Sequence, residues 1–388
     1  MSGPPDPVTQ AVRAGLESDT ETGAVVPPIH LSTTYAFRGF DDKRAYDYSR
    51  SGNPTRDLLA KALADLEGGV GACILATGMA AITLVGHLLP VGARIVAPHD
   101  CYGGTYRLFD AWRRRGELQC EFVDFADEAA VRAALKIPTA LLWIETPSNP
   151  LLRITDIAHF AERGRAAGAL VVVDNTFLSP LWQTPLSLGA DIVVHSTTKY
   201  LNGHSDVVGG AVIAGTQALH EQLSWWANCL GLTGGAFDSY LTLRGLRTLN
   251  ARLDHHGRNA SQLAQWLQSQ PGVTRVFYPG LPTHPGHAVA ARQQRGFGAI
   301  VTLEIAGGHD AVRALVSQMK FFSLAESLGG VESLVAHPAT MTHAAMDPEA
   351  RARAGLTDGL LRLSVGIEAY DDLRDDLAAG LERARSVI

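Results

Sequence analysis

Seven short, almost continuously apolar stretches punctuate the chain: "ACIL" (72–75), "ARIVAP" (93–98), "CEFVDF" (120–125), "ALLWIET" (140–146), "ALVVVD" (169–174), "DIVVHS" (191–196) and "GGAVIAG" (209–215). Each has strand length, and several lack the polar alternation of a sheet with one wet face, so strands covered on both faces are expected. Helix-like stretches separate most of them. In "NPTRDLLAKALADLEGG", Pro54 sits near a helix start, Leu58, Leu59, Ala62, Leu63 and Leu66 fall at helical spacing, and Gly68 marks the stop. Strand and helix in alternation predict an α/β fold with a mainly parallel seven-stranded sheet wrapped by helices.

After the tryptophan-rich "LSWWANCLGLTGGAFDSYLTLRGLRTLNARL" the pattern changes. A helix-like "RNASQLAQWLQSQPG" is followed by alternating "GAIVTLEI" and "LLRLSVGI", then by "DDLRDDLAAGLERARSVI" with Leu373, Leu377 and Leu381 at i,i+4 spacing. This predicts a large domain over 55–254 and a smaller α+β domain over 255–388. The first 54 residues, rich in proline and glycine, read as an extended arm.

The net charge of -6 leaves no broad basic surface for a nucleic-acid backbone, so no nucleic-acid partner is expected. "MSGPPDPVTQ" lacks a basic stretch followed by an apolar run, and "GMAAITLVGHLLP" is broken well short of a membrane span. No membrane association and a cytoplasmic location are therefore expected. Cys73, Cys101, Cys120 and Cys229 show no paired or ligand spacing and are expected to be buried free thiols. His337 and His343 match no ligand pattern, so no metal is expected.

In an open α/β sheet, ligands bind beyond the carboxyl ends of the strands. "LVVVDNTF" ends its aliphatic run on Asp174, a carboxylate whose charge is disfavoured there unless a cation, such as a protonated ring nitrogen, meets it. "DIVVHSTTKY" carries Lys199 just past a strand, where partial withdrawal from water favours the neutral amine that condenses with an aldehyde. Ser196, Thr197 and Thr198 add hydroxyls suited to a phosphate. In "ACILATGMAA" a strand turns through Gly78 and Met79 into a helix, whose N-terminus favours an anion. Tyr102 in "APHDCYGGTYRLF" follows a strand and is placed to stack on a planar ring. "YDYSRSGNPTR" packs Tyr48, Arg50 and Arg56 into a proline-punctuated arm that needs an anion or a neighbouring subunit to order it. An amine, a carboxylate for a ring nitrogen, phosphate donors and a stacking aromatic together describe pyridoxal phosphate. Arg362, inside the apolar "LLRLSVGI", calls for a bidentate anion, which either a substrate carboxylate or an internal acid would supply.

"SRSGNPTR", "TGMAA", "ETPSNP", "VVDNTF", "HSTTKYLNGHSDVVGG" and "SLAESLGGVESLVAHPATMTH" resemble the Cys/Met-metabolism family of fold-type I pyridoxal-phosphate enzymes, from about residue 8 to the C-terminus. The resemblance implies that Lys199 holds the cofactor and moves protons, and that Asp174 meets the pyridine nitrogen. It also implies phosphate binding by Gly78, Met79, Ser196 and Thr198, with Tyr48 and Arg50 reaching in from a neighbouring subunit, where Tyr48 would also meet substrate. Tyr102 would stack on the ring and share in acid–base work, and Thr176 would support the ring. Asn149, Ser327 and Arg362 would receive the substrate α-carboxylate, and Arg107 a distal carboxylate. An acidic residue at Glu326, before the serine of "ESLGG", goes in this family with chemistry at Cγ, whereas typical bacterial β-lyases carry an aromatic there.

The activity so implied is γ-replacement, joining O-succinyl-L-homoserine and L-cysteine into L-cystathionine with release of succinate. The alternative is γ-elimination of cystathionine, and from another class a cofactor-free Rossmann-like binding protein in which Lys199 and Asp174 are structural. Sites shared between subunits imply at least a dimer, and the family suggests a homotetramer.

Overall fold

A computed structural model describes residues 5–342, 349, 351 and 354–387. All seven apolar stretches form strands: β1 Gly71–Leu75, β2 Arg94–Pro98, β3 Gln119–Val123, β4 Leu141–Glu145, β5 Leu170–Asp174, β6 Ile192–Ser196 and β7 Gly210–Ala214. Five more follow: β8 Val273–Phe277, β9 Ile300–Ile305, β10 Phe322–Leu324, β11 Ser333–Ala336 and β12 Leu360–Ser364. The first seven belong to the large sheet and the last five to a smaller one. The chain divides into two compact units, each discontinuous in sequence, where the change of strand and helix pattern suggested contiguous ones: Met1–Val91 with Leu170–Asn250, and Gly92–Ala169 with Ala251–Ile388.

In the first unit the strand order is β1-β7-β6-β5. β5 and β6 are parallel, while β7 runs antiparallel to both β6 and β1. Every residue of β7 and nearly all of β6 is buried, which explains their unbroken apolar sequences. The helix Pro54–Glu67 begins where Asn53 accepts from the N–H groups of Thr55 and Arg56, and ends at Gly68 in the left-handed conformation, φ +76°. It packs on β1, whereas the helix Gly78–Gly86 packs on β6 and β7. Along the arm, short bonds such as His30 N–H to Thr55 Oγ1 at 2.9 Å tie the chain down, yet Leu31, Phe37 and Phe40 stand exposed.

In the second unit β2 pairs in parallel with both β3 and β4. The smaller sheet has the order β10-β11-β12-β9-β8 and is antiparallel except for β10 with β11. The helix Tyr370–Arg385 buries Leu373, Leu377 and Leu381 and packs on the helix Gly308–Val316. β8, β10 and β11 carry no clear sequence signal: "VTRVF" is broken by two polar residues and only half-buried at best, and the others span only three and four residues.

All four cysteines are free, but only Cys73 and Cys101 are buried. Cys120 lies half-buried on β3, whose outer positions face solvent, and Cys229 is exposed on the helix Gln217–Leu230, which buries only Leu223. His337 is buried and bonded to Thr340 Oγ1, while His343 lies outside the described residues. Among the described residues no helix is long and apolar enough to cross a membrane.

His256 and His284, both in the second unit, are held neutral by burial, each lowered to about 4. Above about pH 6.5 folded and unfolded chains bind equal protons at these sites. Between there and about pH 4 the unfolded chain takes up protons that the folded one refuses, so stability falls as the pH drops. The expected loss at pH 5 is up to about 2 kcal/mol for each histidine. Thermal melts at pH 7 and pH 5 check this, and equal midpoints would contradict it.

Candidate active site

In the first unit the chemistry gathers where β5 and β6 end. Asp174 closes β5, in register with Val194 of β6. Thr176 ties the two ends together: its N–H donates to Asp174 Oδ1 at 3.0 Å, and its Oγ1 accepts from Ser196 N–H at 2.9 Å. Burial pushes the Asp174 carboxyl up, against the pull of the Thr176 bonds and of the His195 charge. An ionised carboxylate in that place is a seat for a cation.

Past Ser196 the chain turns tightly. Lys199, half-buried, donates its backbone N–H toward Ser196 O at 3.4 Å, and its carbonyl accepts from Gly203 N–H at 2.8 Å. The Thr198 hydroxyl accepts from Gly209 N–H at 2.9 Å and donates to Gly209 O at 3.3 Å, tying this turn to the approach to β7. Against the end of β6 lies the first turn of the helix Gly78–Gly86, so close that a Cβ on Gly78 would come 2.9 Å from Ser196 Cβ and 3.3 Å from its Cα. Thr77 Oγ1 caps this helix by accepting from Ala80 N–H, which leaves the Gly78 and Met79 N–H groups without intrahelical partners and directed out of its positive end.

A half-buried amine, a carboxylate needing a cation, and a glycine cradle with hydroxyls and helix N–H groups fit the aldehyde, ring nitrogen and phosphate of pyridoxal phosphate. Alanine at position 78 would press on Ser196, first on its Cβ at 2.9 Å, which the strand carries rigidly, and then on its Oγ at 3.1 Å, an overpacking cost of roughly 1–3 kcal/mol. Gly78→Ala is therefore expected to weaken cofactor binding by roughly 10- to 100-fold, read by titrating apoenzyme with pyridoxal phosphate. A Kd within twofold of wild type would contradict it.

Tyr48 and Arg50 stand apart from that cluster in their bonding. The Arg50 guanidinium lies 5.5 Å from the Tyr48 ring centroid, and its Nε donates to Asn228 Oδ1 at 3.1 Å. Buried Arg56 supports the turn by donating to Arg50 O at 3.2 Å and to Gly234 O at 3.3 Å.

The second unit brings together the other predicted residues. Arg362, 3% exposed on β12, donates Nη1 to Asn149 Oδ1 at 3.0 Å and Nη2 to Ser327 O at 2.7 Å. Both acceptors are neutral oxygens, so neither cancels the guanidinium charge. Ser327 holds φ +89°, a backbone conformation rare outside glycine and costing on the order of 1–3 kcal/mol. Tyr102, at the start of the helix Gly103–Arg115, keeps 40% of its surface exposed, yet its phenol is pushed up, chiefly by burial; Arg107 pulls the other way, and Glu326 adds to the rise. Glu326 and Arg107 are both exposed.

Sequence reasoning missed Glu145, the buried last residue of β4, whose Oε2 accepts from Tyr102 N–H at 2.8 Å. An acid closing the apolar "ALLWIET" gave the same signal as Asp174. It also missed Asp100, which accepts from Ser148 Oγ at 2.7 Å and so braces the residue next to Asn149.

The chain matches the family described as "Cys/Met metabolism PLP-dependent enzyme" over residues 8–382. It belongs to that family. The Cys/Met-metabolism enzymes depend on pyridoxal phosphate, and so does this chain. Within the family it is 57% identical to the cystathionine gamma-synthase of Escherichia coli strain K12, over 97% of this chain and 98% of that one. It is also 48% identical to a cystathionine beta-lyase of Coxiella burnetii, over 96% of this chain and 97% of the relative. Among solved structures, cystathionine gamma synthase from Xanthomonas oryzae pv. oryzae in complex with aminoacrylate and cysteine matches with a TM-score of 0.98 and 59% identity, covering 99% of this chain and all of that one. The fold-type I architecture expected from the motifs is therefore that of the family, and the chain is cystathionine gamma-synthase-like.

Proposed function

We propose that this enzyme catalyses γ-replacement, converting O-succinyl-L-homoserine and L-cysteine into L-cystathionine and succinate. The observation that carries this reading is the synthase name borne by relatives at 57% and 59% identity over nearly the whole chain. The acidic Glu326 supports it, in the position that goes with chemistry at Cγ. In this proposal Lys199 binds the cofactor, Asp174 faces its ring nitrogen, and Gly78, Met79, Ser196 and Thr198 take its phosphate, with Thr176 and Tyr102 against the ring. Arg362, held by Asn149 and Ser327, takes the α-carboxylate, and exposed Arg107 the distal carboxylate of the succinyl group.

When bound, pyridoxal phosphate supplies an electron sink for charge developing at Cα. The Lys199 amine takes a proton from Cα and then one from Cβ, and returns a proton to each once the new bond is made, while the Tyr102 phenol exchanges a proton with the incoming thiol. The γ C–O bond breaks, succinate leaves with the electron pair, and the cysteine sulfur forms the new bond at Cγ. Tyr48 and Arg50 belong, in the same proposal, to a neighbouring subunit's site in a cytoplasmic homotetramer. Exposed Leu31, Phe37 and Phe40 on the arm support a second copy as their cover.

A second reading, γ-elimination of cystathionine, is favoured by relatives bearing lyase names, such as the cystathionine gamma-lyase of Dictyostelium discoideum at 44% identity. Supplying purified enzyme with O-succinylhomoserine with and without cysteine, and with cystathionine alone, separates the two. Cystathionine and succinate from the two-substrate mixture are expected. Rapid breakdown of cystathionine to cysteine and a 2-oxo acid, with no synthesis, would overturn the proposal.

A further inference from the structure

Behind the ends of β5 and β6 lies a polar network sealed from water. Glu67, the last residue of its helix, and His195, the penultimate residue of β6, have side chains with 0% exposure, and His195 Nε2 lies 2.6 Å from Glu67 Oε1. That is a short hydrogen bond. The same oxygen accepts from Asn175 Nδ2 at 2.8 Å, and Asn175 exchanges bonds with Gln183, Nδ2 to the backbone oxygen at 2.8 Å and Oδ1 from Nε2 at 3.0 Å. Glu67 Oε2 and His195 Nδ1 are buried with no hydrogen-bond partner among the described residues. Such a network is expensive to bury, and apolar side chains of similar volume would stabilise the core as well or better. Its presence calls for a role other than holding the fold.

Its place points to one. Asn175 follows Asp174, and His195 precedes Ser196, so by strand alternation the network occupies the sheet face opposite the cofactor cluster. The charged group that acts on Asp174 is His195, with Glu67 behind it. β7 and the helices Gly78–Gly86 and Ser179–Trp182 contribute no charged group. The His195 charge acts on Asp174 in the direction opposite to burial, favouring the carboxylate.

We propose that Glu67 and His195 are positioning residues of the cofactor seat. They lock the ends of β5 and β6, so that the Asp174 carboxylate is held opposite the cofactor's ring nitrogen. The inference rests on Asp174 facing that nitrogen and holds whichever substrate the enzyme takes.

The test uses two variants, His195→Gln, which keeps a neutral N–H donor toward Glu67, and the double variant E67L/H195L, beside Asp174→Asn and wild type. Three quantities are read: the apoenzyme's affinity for pyridoxal phosphate, the pH midpoint of the bound cofactor's visible absorbance, and the apoenzyme's thermal midpoint. Both variants are expected to bind cofactor roughly tenfold or more weakly, as for residues that orient a ligand's partner. Their absorbance midpoints should move in the same direction as that of Asp174→Asn, while the thermal midpoint of the double variant stays at or above that of wild type. Affinity and absorbance midpoint equal to wild type, with Asp174→Asn losing both, would overturn the proposal. So would lost stability with unchanged affinity, or failure of both variants to fold, since the pair would then serve the fold alone. If only the double variant fails to fold, His195→Gln decides by the same criteria. If Asp174→Asn itself binds and titrates as wild type, the assignment of Asp174 falls, and this inference with it.

Discussion

Lys199→Ala should lower turnover by more than about 10⁴-fold, because one side chain is asked both to bind the cofactor covalently and to act as the general base. The residue sits half-buried in a turn fixed by backbone bonds to Ser196 and Gly203, so its truncation leaves the local chain supported. Circular dichroism of the variant should match that of wild type, and pyridoxal phosphate should still be retained through the phosphate cradle at Gly78 and Ser196. The separation of lost turnover from kept fold is the signature to seek. Wild-type activity in this variant would refute the assignment of the lysine.

The second large effect is expected at Arg362. Its two terminal nitrogens are already aimed by Asn149 and by the carbonyl of Ser327, which fixes the plane of the guanidinium before a substrate arrives. A lysine keeps the charge but loses the fork that meets a carboxylate through two parallel bonds. Losing one hydrogen bond to a charged group costs about 1.5–3 kcal/mol, so Arg362→Lys should raise KM for the amino-acid substrate by roughly 10- to 150-fold. Cofactor affinity should be unchanged. An unaltered KM would remove Arg362 from substrate binding.

What the sequence disclosed follows from how locally each feature is determined. Most strands of the large sheet were legible because both faces are covered, as with β4 and β7, where every residue is buried and the apolar run is unbroken, while β3 alternates exposed and half-buried positions. β8 and β10 were not, because a half-exposed or three-residue strand leaves no periodic trace. The two discontinuous units were hidden for a related reason: contacts that join Leu170–Asn250 to the N-terminal residues lie far apart in the chain. The residues proposed to seat the cofactor were legible because Asp174, Ser196 and Lys199 each follow an apolar run. The pair behind it was not, since His195 lies inside such a run and its partner Glu67 stands 128 residues away. Cys229 misled because a cysteine in an apolar-looking helix reads as core, while that helix faces outward with Trp225 exposed.

The most direct measurement is peptide mass spectrometry of holoenzyme treated with borohydride and digested. The account predicts a single pyridoxyl adduct, on the peptide that carries Lys199. An adduct on a different lysine, or no adduct on any peptide, would contradict it.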